Sequence, residues 1–139
     1  MNDNQIRAEK YLMQIRNASK ELTELILRID YLRYKASGAG AIRYDKDPVQ
    51  TSPQDMLCDG VSKAVDLERH LSTRSKELQS MRNHVEQVIS LWSGNNAKMV
   101  EVYYLMHGSM VDVARHCNCS DRTAYRIKLN ALEEFSKHL

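Results

Sequence analysis

Arg122 and Arg126 stand four residues apart within the run SMVDVARHCNCSDRTAYRIKLNAL, Ser109 to Leu132. On a helix that spacing is about one turn, so both guanidinium groups project from one face. A guanidinium can donate two parallel hydrogen bonds to a guanine edge, the commonest specific contact in the major groove of DNA. Around the pair, Thr123, Lys128 and the free amides at Ser120 suit phosphate oxygens, and Tyr125 faces outward with them. Asp121 favours the start of a helix but repels phosphate, so its natural acceptor role is toward a cytosine amino group. Ser120, Asp121, Arg122, Thr123, Tyr125, Arg126 and Lys128 are therefore the candidate DNA-binding residues.

Two short helices and a tight turn would position this set. Val113, Ala114 and Cys117 share one face of the first helix, and Ala124, Ile127 and Ala131 the matching face of the second. Ala114 is small enough for the two axes to approach. Asn118 falls where the turn needs a residue tolerant of positive φ, and Ser120 reads as an N-cap that starts a helix at Asp121. This is the sequence form of a helix-turn-helix, whose second helix enters the major groove. A corner of an ordinary helical bundle would show the same spacing.

The remaining chemistry is sparse. Cys117 and Cys119 flank the turn, and His107 and His116 are close by, but zinc pairs are usually spaced Cys-x2-Cys or wider. Buried free thiols are the expectation, with no metal and no cofactor. No Gly-rich phosphate loop, carboxylate constellation or Ser/His/Cys arrangement suggests an enzyme. Three cysteines, an odd number, argue against a disulfide framework. The 139 residues carry a formal net charge of +2, which allows a nucleic-acid partner only if charge is concentrated locally. A polar N-terminus and no long apolar run predict neither a signal peptide nor a membrane span, and a cytoplasmic, nucleoid-associated location.

Aromatic content of 6% and two prolines point to an all-helical chain. From Asn4 to Ala36, Ala8, Tyr11, Ile15, Ala18, Leu22, Leu25, Ile29 and Leu32 recur at threes and fours, a narrow heptad seam on one long helix. Gly38, Gly40 and Pro48 then predict a loop over 37–52, where Arg43, Tyr44 and Lys46 could contact a partner, although a solvated connection tacked down by Val49 is the simpler account. Ser52-Pro53 reads as an N-cap and first helical residue of a second helix, running to about Ser93 with Gly94 as its stop. Its seam is Leu57, Ala64, Leu67, Leu71, Leu78, Met81, Val85, Val88 and Trp92, with Arg74 as a misfit; Arg74 and Glu68 fit either a buried ion pair or register device or, the simpler account, part of an alternating charged surface. The shared period predicts a long antiparallel coiled-coil-like helical hairpin over 1–94, too thin to bury a core without a second copy. Asn95 and Asn96 would cap a third helix, Ala97 to Met106, and Ser109 the next. Residues 95–139 are then a three-helix domain around Val100, Tyr104, Val113, Ala114, Cys117, Ile127 and Ala131, closed by Leu132 and Phe135.

This three-helix tail resembles the fourth region of bacterial sigma factors, which binds promoter DNA, here through Met110 to Lys128. Nearly the full chain is similar to the ArpU and RinA-like late-gene activators of phages and prophages. The words that carry it are Tyr44 to Pro53 (YDKDPVQTSP), Val61 to Glu68 (VSKAVDLE) and Ser120 to Thr123 (SDRT). The resemblance implies sequence-specific binding to double-stranded DNA and activation of phage late genes with host RNA polymerase. Met110 and Val111 stand where such proteins often carry an aromatic residue, and Tyr125 and Lys128 where histidine is frequent.

One such domain binds weakly, so a homodimer or higher oligomer paired through the hairpin is expected. Two other classes fit the same pattern. A small-terminase-like packaging protein would form rings, and a protein-binding helical adaptor would show no salt-dependent DNA affinity.

Overall fold

A computed structural model describes residues 1–37 and 53–139, without the side chains of 53–58. The expected loop beyond Ser37, with Arg43, Tyr44, Lys46 and the Val-Gln-Thr-Ser word, lies outside the described residues. Those described are helical: α1 (Asp3–Arg16), α2 (Ala18–Ala36), α3 (Pro53–Ser90), α4 (Asn95–Val100), α5 (Met110–Cys117) and α6 (Asp121–Ser136). No strand occurs among them. None of these helices is long and apolar enough to cross a membrane.

The chain forms two compact units, one of Met1–Ala18 with Glu77–Leu139 and one of Ser19–Lys76. This is not a division at residue 94. The first 18 residues and the second part of α3 belong with the C-terminal helices, because their apolar faces share one core. Ala8, Leu12 and Ile15 of α1 and Val85 and Val88 of α3 are buried with Met99, Tyr104, Val113, Ala124, Ile127, Leu132 and Phe135. Burying a side chain such as Leu12 or Phe135 contributes about 1.5–3 kcal/mol, so α1 is a major part of this unit.

The single first helix of the sequence pattern is two helices. Asn17, with φ −89° and ψ 2°, closes α1 and donates its amide to the carbonyls of Met13 and Ile15. Before the break the inward positions are Ala8, Leu12 and Ile15, and Tyr11 is half-buried beside them; after it they are Ile29 and Ala36. The apparent continuous seam therefore joins two faces that serve different units. α1 begins on a capping box, in which Asn2 and Gln5 exchange side-chain and backbone hydrogen bonds.

α3 starts at Pro53, as the missing amide hydrogen allows, but ends at Ser90 rather than Ser93. Leu91 and Trp92 then donate to the carbonyls of Val88 and Ile89, tightening the last turn. Gly94, at φ +89°, precedes α4, and Asn95 is the first helical residue instead of a cap. Past Val100 the helix widens into a π-helical turn, Glu101–Leu105, closed by a 2.9 Å bond from the Met106 amide to the Glu101 carbonyl. His107 follows at φ +59°, and Gly108 must stay a glycine: a Cβ there would lie 2.8 Å from Val102 Cγ1 and 2.9 Å from its carbonyl oxygen.

Within the second unit, α2 and the first part of α3 run antiparallel. Glu21 pairs with Arg74 at 3.1 Å, Arg33 with Glu68, and Ala36 lies opposite Gly60, whose added Cβ would sit 3.2 Å from the Ala36 Cβ. Arg74 and Glu68 are thus members of two cross-helix pairs, the Arg33–Glu68 pair at the solvated surface and Arg74 largely covered. Opposite charges at fixed heights hold the register of two helices whose apolar contact is thin.

Candidate nucleic-acid interface

α5 and α6 owe their geometry to three local devices. Ser109 and Asp112 form a capping box at the start of α5, the Asp112 carboxylate accepting from the Ser109 amide at 2.9 Å. Those hydrogen bonds to Ser109 hold the Asp112 carboxyl below its usual pKa, helped by nearby Arg115 and His116. At the other end Asn118 takes the left-handed conformation, φ 52° and ψ 49°. The Cys119 amide donates to the Ala114 carbonyl at 3.0 Å and the Asn118 amide to Arg115 at 3.3 Å, a Schellman stop. Ser120 then caps α6, its Oγ accepting from the Thr123 amide at 3.2 Å and donating to Thr123 Oγ1 at 3.0 Å. That arrangement leaves the Thr123 hydroxyl hydrogen available outward.

The turn sets two faces on α6. Ala124, Ile127, Ala131, Leu132 and Phe135 point into the core, together with Val113, Ala114 and Cys117 of α5. Ser120, Asp121, Arg122, Thr123, Tyr125 and Arg126 are exposed. Among the described residues neither the Arg122 nor the Arg126 guanidinium makes a hydrogen bond, ion pair or ring contact. Arg115 on α5 is exposed as well, a cation the spacing argument did not single out.

Lys128 does not join this face. Its side chain is 14% exposed, and its ammonium pairs with the Glu9 carboxylate of α1 at 3.0 Å and lies 4.9 Å from the centre of the Tyr103 ring. The expectation of a phosphate contact at Lys128 is thereby corrected. Position 128 is one turn after Ala124 and flanks the core stripe, so α1 covers it. Gln5, donating to the Leu129 carbonyl at 3.1 Å, and Arg7, donating to the Ser136 carbonyl at 3.3 Å, hold α1 along the same side of α6.

Behind the interface lies a polar cluster that spacing did not reveal. Arg16, in the last turn of α1, donates to the carbonyls of Tyr103 and Gly108, the latter at 2.7 Å, and stacks 4.1 Å from the Tyr103 ring centre. Arg82 of α3 donates to the Leu105 carbonyl at 3.2 Å. The π-helical turn leaves the Tyr103 and Leu105 carbonyls without helical partners, and two arginines from elsewhere in the chain satisfy them, Arg16 also reaching the Gly108 carbonyl in the loop that follows. Tyr104 fills the core beside them, and its hydroxyl has no hydrogen-bond partner among the described residues. Burial first, then the Glu9 carboxylate, raises the Tyr104 pKa far above that of a free tyrosine.

Cys117 is buried with its pKa raised by desolvation and then by Cys119, as suits an inert core thiol. Among the described residues no group of three or more His, Cys, Asp or Glu side chains is arranged to hold a metal ion. Comparison with protein-family models, with curated proteins and with solved structures found no match.

Proposed function

We propose that α5 and α6 act as a helix-turn-helix and that the protein is a sequence-specific DNA-binding transcriptional regulator. The observation that carries this is the Arg122–Arg126 pair: two arginines one turn apart on α6, both exposed and without a partner among the described residues. Arginines retained only for stability would be expected to pair, as Arg16, Arg33 and Arg74 do. In the major groove they would read guanine edges, with Thr123 and the amides at the start of α6 on phosphate and Tyr125 beside the bases. The activating role in phage late transcription, and host RNA polymerase as a partner, rest on the resemblance to the ArpU and RinA-like regulators. Two paired copies would raise affinity through effective concentration.

The test is selection of bound duplexes from a random pool, followed by electrophoretic shift on the selected site. Arg126→Ala is expected to weaken specific binding by roughly 10- to 100-fold, the range for a lost arginine–guanine contact. Unchanged affinity for the selected site, or affinity that ignores salt, would sink the reading.

A further inference from the structure

α2 carries apolar residues on two sides. Ile29 and Ala36 are buried toward α3, with Leu22, Leu25 and Leu32 half-buried on the same side. On the opposite side Leu27, Tyr31 and Tyr34 are 62%, 59% and 62% exposed. They are spaced by four and then three, the period of a coiled-coil seam. The unit they belong to buries few apolar side chains, Ile29, Ala36 and Ala64 among those described, which leaves such a stripe unusual for a surface left to water.

We propose that Leu27, Tyr31 and Tyr34 form the seam of a homodimer in which α2 of a second copy lies parallel and in register. Charge selects both the occupant and the direction. With Leu27 and Tyr34 at d and Tyr31 at a, Asp30 takes position g and Arg28 and Lys35 take position e. In a parallel pair each g residue faces the e residue five positions on in the other helix. Asp30 of one copy then meets Lys35 of the other, twice by symmetry. An antiparallel pair brings e against e and g against g, placing Arg28 near Arg28 and Asp30 near Asp30. Within the chain, Asp30 makes no ion pair among the described residues, and Lys35 lies 5.6 Å from the centre of the Tyr31 ring, at the flank of the seam. Lys20 and Glu24 occupy the two preceding seam positions, so the apolar contact stops there.

The three side chains offer roughly 400 Å² per copy, about half of a standard interface. The dimer is therefore a weak one that dissociates on dilution. Sedimentation velocity of the full chain without DNA, over a concentration series, reads it directly, so its failure is distinct from failure of DNA recognition. A reversible monomer–dimer equilibrium is expected. Tyr31→Glu, at an exposed position, is expected to give a monomer with unchanged circular dichroism. Asp30→Lys is expected to weaken the dimer about 10-fold, and Asp30→Lys combined with Lys35→Asp to restore it. A wild-type chain that stays monomeric at several hundred micromolar, or a dimer indifferent to Tyr31→Glu, overturns the proposal. A charge swap that fails to restore association overturns the parallel register.

Discussion

At the scale of single residues, three side chains on or near α6 separate binding from stability. Arg122→Ala and Arg126→Ala remove exposed groups with no partner among the described residues, so the melting temperature should stay within about 1–2 °C of wild type while DNA affinity falls. Lys128→Ala behaves in the opposite way. It strands Glu9, whose side chain is only 20% exposed, and is expected to cost about 1–3 kcal/mol in chemical denaturation, between the values for exposed and buried pairs. Tyr104→Phe deletes a buried hydroxyl that makes no hydrogen bond among the described residues and faces the Glu9 carboxylate, and should change stability by no more than about 1 kcal/mol. The folded-state pKa of Tyr104 is raised above its unfolded value, so its contribution to stability is complete below about pH 10 and is lost as pH rises past that. Thermal melts should show a smaller loss between neutral and strongly alkaline pH in Tyr104→Phe than in wild type.

At the scale of elements, each end of α5 has its own dependence. The Asp112 carboxyl has a depressed pKa, so its support for the helix start is present above the ordinary carboxylate range and is lost as pH falls through the folded value. Amide protection factors at the first turn of α5, corrected for the intrinsic pH dependence of exchange, should fall on acidification, and Asp112→Asn should flatten that response. Position 118 demands positive φ, so Asn118→Val is expected to destabilise by about 1–2 kcal/mol while Asn118→Gly is tolerated. Comparing the two in urea titrations checks that the turn, rather than the side chain, matters. Arg16 acts at longer range: Arg16→Met keeps much of the apolar stem but leaves the Tyr103 and Gly108 carbonyls unpaired, and so should loosen the π-helical turn.

At the scale of the whole molecule, α1 decides which fragments fold. Because Ala8, Leu12 and Ile15 complete the core around Phe135, residues 95–139 alone should give a poorly dispersed amide spectrum. Adding residues 1–18 as a separate peptide should not suffice, since Val85 and Val88 of α3 line the same core.

The helices at 110–117 and 121–136, the cap at Ser120, the turn at Asn118 and the outward face of Arg122 and Arg126 were all legible in the chain. Each rests on contacts within a few residues, where hydrogen-bond spacing and helical period leave little choice. The break at Asn17, the π-helical turn and the roles of Arg16 and Lys128 were not. A heptad pattern says that a face is apolar and does not say what it meets, so Ala8 and Ile29 read as one seam although they serve different units. Lys128 looked like part of the exposed face until α1 covered it with Glu9. Local sequence determined the shape and chemistry of the α5–α6 surface; tertiary packing decided which of its cations remain in water, because burial depends on residues more than a hundred positions away.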